Sequence, residues 1–241
     1  MSIMTVGPLP LDSLLAELTS LIYEAGELVM RVYATDFAVE IKGDASPVTI
    51  ADQCAEKVIF EGLSRITPDI PIVGEEAASA GDIPDVSNRF WLVDHGVPVL
   101  GLVLAPALGT LYAGAVGVGA WVEVGKERRT IGVRSVPADG LTVVGSRHHG
   151  NDAAVDAFLA GRAVTARRMV GSSLKLCILA EGLADVYPRF GRTMEWDTAA
   201  GDAVLRAAGG SVRTLDDAPL GYGKPGFENP DFAAWGANGA V

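Results

Sequence analysis

The sequence predicts a mixed fold of helices and strands, α/β or α+β in class, folded as one unit over residues 1–241 with two lobes, about 1–135 and about 136–241. Two observations predict it. Apolar residues recur at helical spacing over long stretches early in the chain and over shorter ones later. Between them stand apolar runs of strand length, closed by glycine or an acidic residue. No internal repeat, low-complexity segment or clear linker divides the chain.

Leu11, Leu14, Leu15, Leu18, Leu21, Ile22, Ala25, Leu28, Val29 and Val32 share one helical face, so an amphipathic helix comes first. A second helix runs from about Ile50 to Ile66, with Cys54, Ala55, Val58, Ile59 and Leu63 on one side. Thr49-Ile50-Ala51-Asp52 reads as its capping box. Residues 70–73 read as a short buried strand ending at Gly74-Glu75-Glu76, and residues 89–93 as another ending at Asp94. Residues 97–106 and 110–117 read as two buried strands joined around Leu108-Gly109. A strand over 141–145 precedes a helix around 152–159. Gly171-Ser172-Ser173 caps a helix through Lys175 to Ala180, closed by Gly182, and a strand follows at 184–187. Asp197 opens a helix over 198–208 that ends at Gly209-Gly210, and the tail from Asp216 is loop-rich.

With 241 residues, 49% of them hydrophobic, the chain buries roughly 70–75% of its unfolded surface and needs no covalent staples. Its two cysteines, Cys54 and Cys177, exclude a disulfide scaffold and a Cys-rich zinc domain, and both read as buried core thiols. Lys and Arg number 19 against 30 Asp and Glu, a net charge of −11. Such a chain repels nucleic-acid backbones, so nucleic acid is not an expected partner. An anionic substrate would need a cation brought in with it. The first ten residues, MSIMTVGPLP, have no basic segment and no long apolar stretch, which argues against a secretory signal and for the cytoplasm. Residues 96–122 carry no charge and are long enough to span a bilayer. However, Gly96, Pro98, Gly101, Pro106, Gly109, Gly114, Gly117 and Gly119 interrupt them, so no transmembrane segment is expected.

Three acids share a type of location. Glu75 follows a predicted strand, Asp94 ends another, and Asp197 opens a helix, which are the places where α/β folds gather ligands. Asp52, in the first turn of a helix, can join them. Converging carboxylates repel one another unless a cation is present, and hard oxygen ligands suit Mg²⁺. Each acid also has a plainer reading: capping for Asp52 and Asp197, a solvated loop for Glu75 and Glu76, a turn for Asp94. Gly221-Tyr222-Gly223-Lys224-Pro225-Gly226 matches a dinucleotide-binding pattern by letter, but it follows no clear strand and reads as loop. His148 and His149 read as solvated turn residues rather than zinc ligands. Ser172, Ser173 and Lys175, at a helix start, can bind an anion or simply cap the helix.

Taken together, these segments resemble the inositol monophosphatase superfamily. Lys42-Gly43-Asp44-Ala45-Ser46-Pro47-Val48-Thr49-Ile50-Ala51-Asp52 resembles its D-x-S-P-V-T-x-A-D motif, and Gly74-Glu75-Glu76 its G-E-E motif. Trp91-Leu92-Val93-Asp94 resembles the start of W-x-x-D-P-[IL]-D-G-T. Trp196-Asp197-Thr198-Ala199-Ala200-Gly201, running on to Ala208-Gly209-Gly210, resembles W-D-x-A-A-G…A-G-G. Gly171-Ser172-Ser173-Leu174-Lys175, Ala180-Glu181-Gly182, Tyr187-Pro188-Arg189-Phe190 and Tyr222-Gly223-Lys224-Pro225 are most similar to the bacterial 3′(2′),5′-bisphosphate nucleotidases. The resemblance implies a layered αβαβα sandwich of the inositol monophosphatase and fructose-1,6-bisphosphatase type. It also implies Mg²⁺-dependent removal of the 3′-phosphate from 3′-phosphoadenosine 5′-phosphate, in the cytoplasm or at the inner membrane face. Glu75, Asp94 and Asp197 would be metal ligands. Asp52 and Glu75 would act on the attacking water, and Ser172, Ser173, Lys175 and Asp197 would meet the nucleotide. The rival substrates are inositol and fructose phosphates.

The chain departs from this pattern after Asp94, where His95-Gly96-Val97-Pro98 stands in place of P-[IL]-D-G-T and roughly 20–25 residues of turn, loop and strand. Deleting a core strand would leave its neighbours' backbone groups unpaired. The flanks show no adaptation to that loss, so the expectation is that residues are missing from the written chain between Asp94 and His95. A true deletion would instead point to a non-catalytic nucleotide-binding descendant. Asp202 is a smaller departure, since those nucleotidases often carry His there.

Overall fold

The computed structural model describes residues 5–6, 9–34, 39–41, 47–84, 86, 89–90, 93–146 and 151–237. Six helices are present among them: α1 (Leu11–Tyr33), α2 (Ile50–Ile66), α3 (Glu75–Ser79), α4 (Asp152–Leu159), α5 (Leu174–Ala180) and α6 (Glu195–Ala207). Three short strands, β1 (Arg89–Phe90), β2 (Val93–Asp94) and β3 (Val97–Pro98), form a small antiparallel sheet. A four-stranded antiparallel sheet follows in chain order: β4 (Leu100–Ala105), β5 (Thr110–Ala115), β6 (Gly119–Val124) and β7 (Glu127–Ile131). Apart from two short antiparallel pairs, Thr5–Val6 with Leu9–Pro10 and Val39–Ile41 with Pro47–Thr49, the other strands are β8 (Leu141–Gly145), β9 (Val164–Met169), β10 (Val186–Arg189), β11 (Ser211–Thr214) and β12 (Phe232–Trp235). They form a mixed sheet in the order β9-β8-β10-β12-β11, with β8 parallel to both neighbours and β12 antiparallel to both of its own.

Side-chain alternation along the strands builds five layers from these parts. Leu14, Leu15 and Leu18 of α1 and Leu63 of α2 pack with Leu100, Ala113 and Ala115 on one face of the antiparallel sheet. On its other face, Val103, Tyr112, Ala120 and Val122 meet Leu176 and Cys177 of α5 and Val204 and Leu205 of α6. The same core takes in Val144, Val212 and Ala234 from the mixed sheet. Their strand neighbours Val143 and Ala233 point the opposite way, onto Val155, Phe158 and Leu159 of α4. The order is α1–α2, sheet, α5–α6, sheet, α4, which is the expected αβαβα sandwich. Among the described residues, no helix is long and apolar enough to cross a membrane.

A glycine of β4 facing the second alanine of the A-A-G run explains how the central layer sits so close. A Cβ on Gly101 of β4 would stand 2.0 Å from the carbonyl oxygen of Ala200 on α6. Only glycine lets this helix backbone lie directly on the sheet.

Several elements differ from the sequence expectation. Residues 70–73 form no strand; Pro71 offers no N–H to a ladder, and Ile70 packs against α1 and α2 from extended coil. Within the predicted strand over 89–93, residues 89–90 instead pair antiparallel with 93–94, Arg89 opposite Asp94 and Phe90 opposite Val93. The apolar run 97–106 is divided between two sheets, at Val99. Helix α6 begins two residues before Asp197. Within the loop-rich tail, β12 pairs on both sides inside the mixed sheet, an element the patterning did not predict. Strands β6, β7, β9 and β11 had no counterpart in the patterning. Cys177 is fully buried, whereas Cys54 is only partly so. The predicted Thr49 cap, the 42–46 segment, Trp91, Leu92, His148 and His149 lie outside the described residues or side chains.

The junction after Asp94 is a tight turn. The chain passes directly from Asp94 into His95 and turns back at once, pairing Asp94 with Val97. His95 and Gly96 both have positive φ, 50° and 76°. That is the backbone of a tight two-residue hairpin turn, which Gly favours and whose twist matches its strands.

Candidate active site

The first turn of α6 is where the candidate residues gather. Trp196 and Asp197 line two adjoining clefts, and Glu75, the first residue of α3, lines both with them. One cleft, of about 840 Å³, is walled by Ser172, Ser173, Lys175, Tyr187, Arg189 and Arg192. The other, of about 460 Å³, reaches Asp52 and Glu56 on α2 and apolar residues of α1. The structure thus brings Asp52, Glu75 and Asp197 to one cleft, and Glu75, Asp197, Ser172, Ser173 and Lys175 to the other. Asp94 is not among the described residues lining either. It is half-buried at the hairpin, 3.0 Å from Nδ1 of His95.

Asp197 is the third residue of α6, and its Oδ2 accepts the backbone N–H of Met194 at 2.8 Å. It is therefore an N3 capping acceptor rather than the helix N-cap, and a carboxylate has lone pairs to spare beyond this bond. The side chain is open to water at the cleft, yet the surrounding protein withdraws enough solvent to raise its carboxyl above the usual range. The nearby Glu75 carboxylate adds to the rise, while the Met194 N–H and the guanidinium groups of Arg189 and Arg192 oppose it.

Glu75 is aimed by α2. The carboxylate of Glu56 accepts the N–H groups of Glu76 and Ala77, each at 3.0 Å, and so caps α3 where Glu75 begins it. Ser172 takes a positive φ of 53°, which turns its carbonyl onto Nζ of the buried Lys175 at 2.6 Å. The ammonium also lies 5.3 Å from the ring of Tyr187. Ser173 is the N-cap residue of α5 but makes no side-chain cap bond.

Arg189, Arg192 and Glu56 were not singled out by the sequence reading. Two arginines within eight residues of Asp197, in a chain of net charge −11, are the signal that could have found the first pair. Glu56 sits one turn after Asp52 on the same helix and gave no local sign, because its partners are 20 residues away.

A hard divalent cation fits this donor set. The acids are oxygen donors, and the mutual repulsion of Glu75 and Asp197 is what a cation would relieve. Among the described residues, no three His, Cys, Asp or Glu side chains stand close enough to hold an ion by themselves. Mg²⁺ is commonly bound by one or two carboxylates plus water and substrate phosphate, which is the arrangement available here.

The chain belongs to the inositol monophosphatase family, whose model matches residues 11–95 and 92–234. The two matched pieces meet at the Asp94 hairpin. Among its relatives is the 3′(2′),5′-bisphosphate nucleotidase CysQ of Escherichia coli K12, 38% identical over 245 positions, covering 91% of this chain and 98% of the relative. That alignment is longer than the whole 241-residue chain, so the relative has residues with no counterpart here. The crystal structure of CysQ from Bacteroides thetaiotaomicron is 30% identical, with a TM-score of 0.74 over 93% of this chain and 97% of that one. An inositol monophosphatase from Anabaena, 23% identical with a TM-score of 0.65, shares the fold.

Proposed function

We propose that this protein is a metal-dependent phosphomonoesterase that removes the 3′-phosphate of 3′-phosphoadenosine 5′-phosphate, giving AMP and phosphate. The observation that carries the reading is the 38% identity to a 3′(2′),5′-bisphosphate nucleotidase along nearly its full length. The cleft chemistry supports it, because a wall of Lys175, Arg189 and Arg192 facing acidic Glu75 and Asp197 suits a doubly phosphorylated anion accompanied by a cation.

In this reading Glu75 and Asp197 would hold the ion, Mg²⁺, with Asp94 of the neighbouring hairpin as a third candidate ligand. When bound, the ion supplies charge neutralisation for the phosphate and a more acidic water. Asp52, with Glu75, accepts a hydrogen bond from the attacking water and orients it. Lys175, with Ser172 and Ser173 beside it, holds the nucleotide end, and Arg189 and Arg192 face its second phosphate. The metal-binding lobe spans about 1–135 and the nucleotide lobe about 136–241.

A second reading, nucleotide binding without turnover, is favoured by one observation, the short connection at Asp94–His95. Phosphate release from a panel of 3′-phosphoadenosine 5′-phosphate, inositol 1-phosphate and fructose 1,6-bisphosphate decides among these. Fastest release from the nucleotide is expected. Faster release from inositol 1-phosphate would assign the sugar-phosphate class, and no release together with nucleotide binding by calorimetry would assign the second reading.

A further inference from the structure

The loop Gly221-Tyr222-Gly223-Lys224, which matches no nucleotide-binding context, lies against the site in another way. Glu195 opens α6 and is 2% exposed. Its carboxylate accepts the backbone N–H of Gly223 at 2.6 Å and of Lys224 at 2.9 Å, and pairs with Nζ of Lys224 at 2.7 Å. Asn229, buried as well, donates to the carbonyl of Met194 at 2.8 Å and receives Lys224 Nζ at 3.2 Å. On the other side, the backbone N–H of Tyr222 donates to the carbonyl of Gly96 at 3.1 Å. The loop therefore ties the turn that follows Asp94 to the first turn of α6, which carries Asp197. Buried carboxylates are costly to keep unless their hydrogen bonds are complete, and Glu195 has three partners.

We infer that residues 221–229 act as a strap that sets Asp197 against the Asp94 hairpin, with Glu195 and Tyr222 as positioning residues for cation binding. This rests on the metal-dependent reading above. The hairpin has only two turn residues, and its docking onto Tyr222 fixes where Asp94 ends. Groups that orient metal ligands without touching the ion change metal affinity by about 10–100-fold when removed.

The test uses the full chain and Mn²⁺ alone, with free Mn²⁺ read by electron paramagnetic resonance. Glu195→Ala is expected to weaken Mn²⁺ binding about tenfold. Glu195→Gln, which keeps the shape and one acceptor, should weaken it by a smaller factor. At saturating metal, KM for the nucleotide should stay at the wild-type value in both. A wild-type chain that takes up no Mn²⁺ overturns the inference, as do variants of unchanged thermal stability and unchanged Mn²⁺ affinity. Should Glu195→Ala not fold, Glu195→Gln decides alone, and wild-type affinity in it overturns the inference. Normal Mn²⁺ binding with no hydrolysis of any substrate would sink the phosphatase reading and leave the strap intact.

Discussion

Glu56 accepts the backbone N–H of Glu76 at 3.0 Å, and so a residue of the second helix caps the short third helix that begins with Glu75. A five-residue helix has little stability of its own and depends on such a cap. Glu56→Ala is expected to lower stability by about 1 kcal/mol, the usual effect of losing a cap, in urea unfolding. It should also raise the Mg²⁺ concentration needed for half-maximal activity, because Glu75 loses its fixed start. Unchanged Mg²⁺ dependence would detach Glu56 from the site.

Asp197 has one observed task, capping, and one proposed task, cation binding, and the two are separable. One oxygen caps α6 through Met194, and an amide oxygen can do the same. Asp197→Asn is therefore expected to keep a near wild-type melting temperature and lose turnover, since a neutral amide is a poor ligand for a hard cation. Activity retained in that variant removes Asp197 from the chemistry.

Lys175 is buried at the wall of the larger cleft, held by the Ser172 carbonyl at 2.6 Å. In the proposed reading its charge would meet the substrate equally before and during the reaction. Lys175→Ala is therefore expected to raise KM for the bisphosphate more than it lowers kcat. Steady-state kinetics with an unchanged KM would place Lys175 outside the binding surface.

The sequence made the two long helices plain because their apolar stripes run for many turns, and the structure gives Ile50–Ile66 as expected. It made the site acids plain only as a set, because each alone has a capping or loop reading. What it hid were features fixed by distant partners. Strand β12 is Phe-Ala-Ala-Trp, buried on both faces and paired on both sides, and two alanines give no strand pattern. Strand β9 lies at the sheet edge with Arg167 and Arg168 exposed, so it lacks an apolar alternation. The His95–Gly96 turn was hidden for a different reason. The motif comparison shows only what is absent there, whereas the two positive-φ residues and their contact with Tyr222 are set by the fold.

Asp202 makes a pH prediction with a definite sign. It is fully buried on α6, with Oδ1 receiving Nε of Arg206 at 2.7 Å and Oδ2 receiving the hydroxyl of Tyr222 at 3.0 Å. Burial raises its carboxyl from 3.8 to about 6, with the Arg206 charge and the two hydrogen bonds opposing the rise. A carboxyl raised in the folded state holds its proton more tightly there than in the unfolded chain. Its contribution to stability is therefore complete below about pH 4 and is lost as pH climbs through about 6. Asp202→Asn cannot titrate, while its amide oxygen still accepts from Tyr222 or Arg206. Subtracting its unfolding free energy from that of the wild type, in urea at a series of pH values, isolates this one group from the other carboxylates. The difference is expected to fall between pH 4 and 6 and to level off above about pH 7. A difference independent of pH would mean that Arg206 and Tyr222 already hold Asp202 at its ordinary ionisation, and that the carboxylate is carried in the core at no titratable cost.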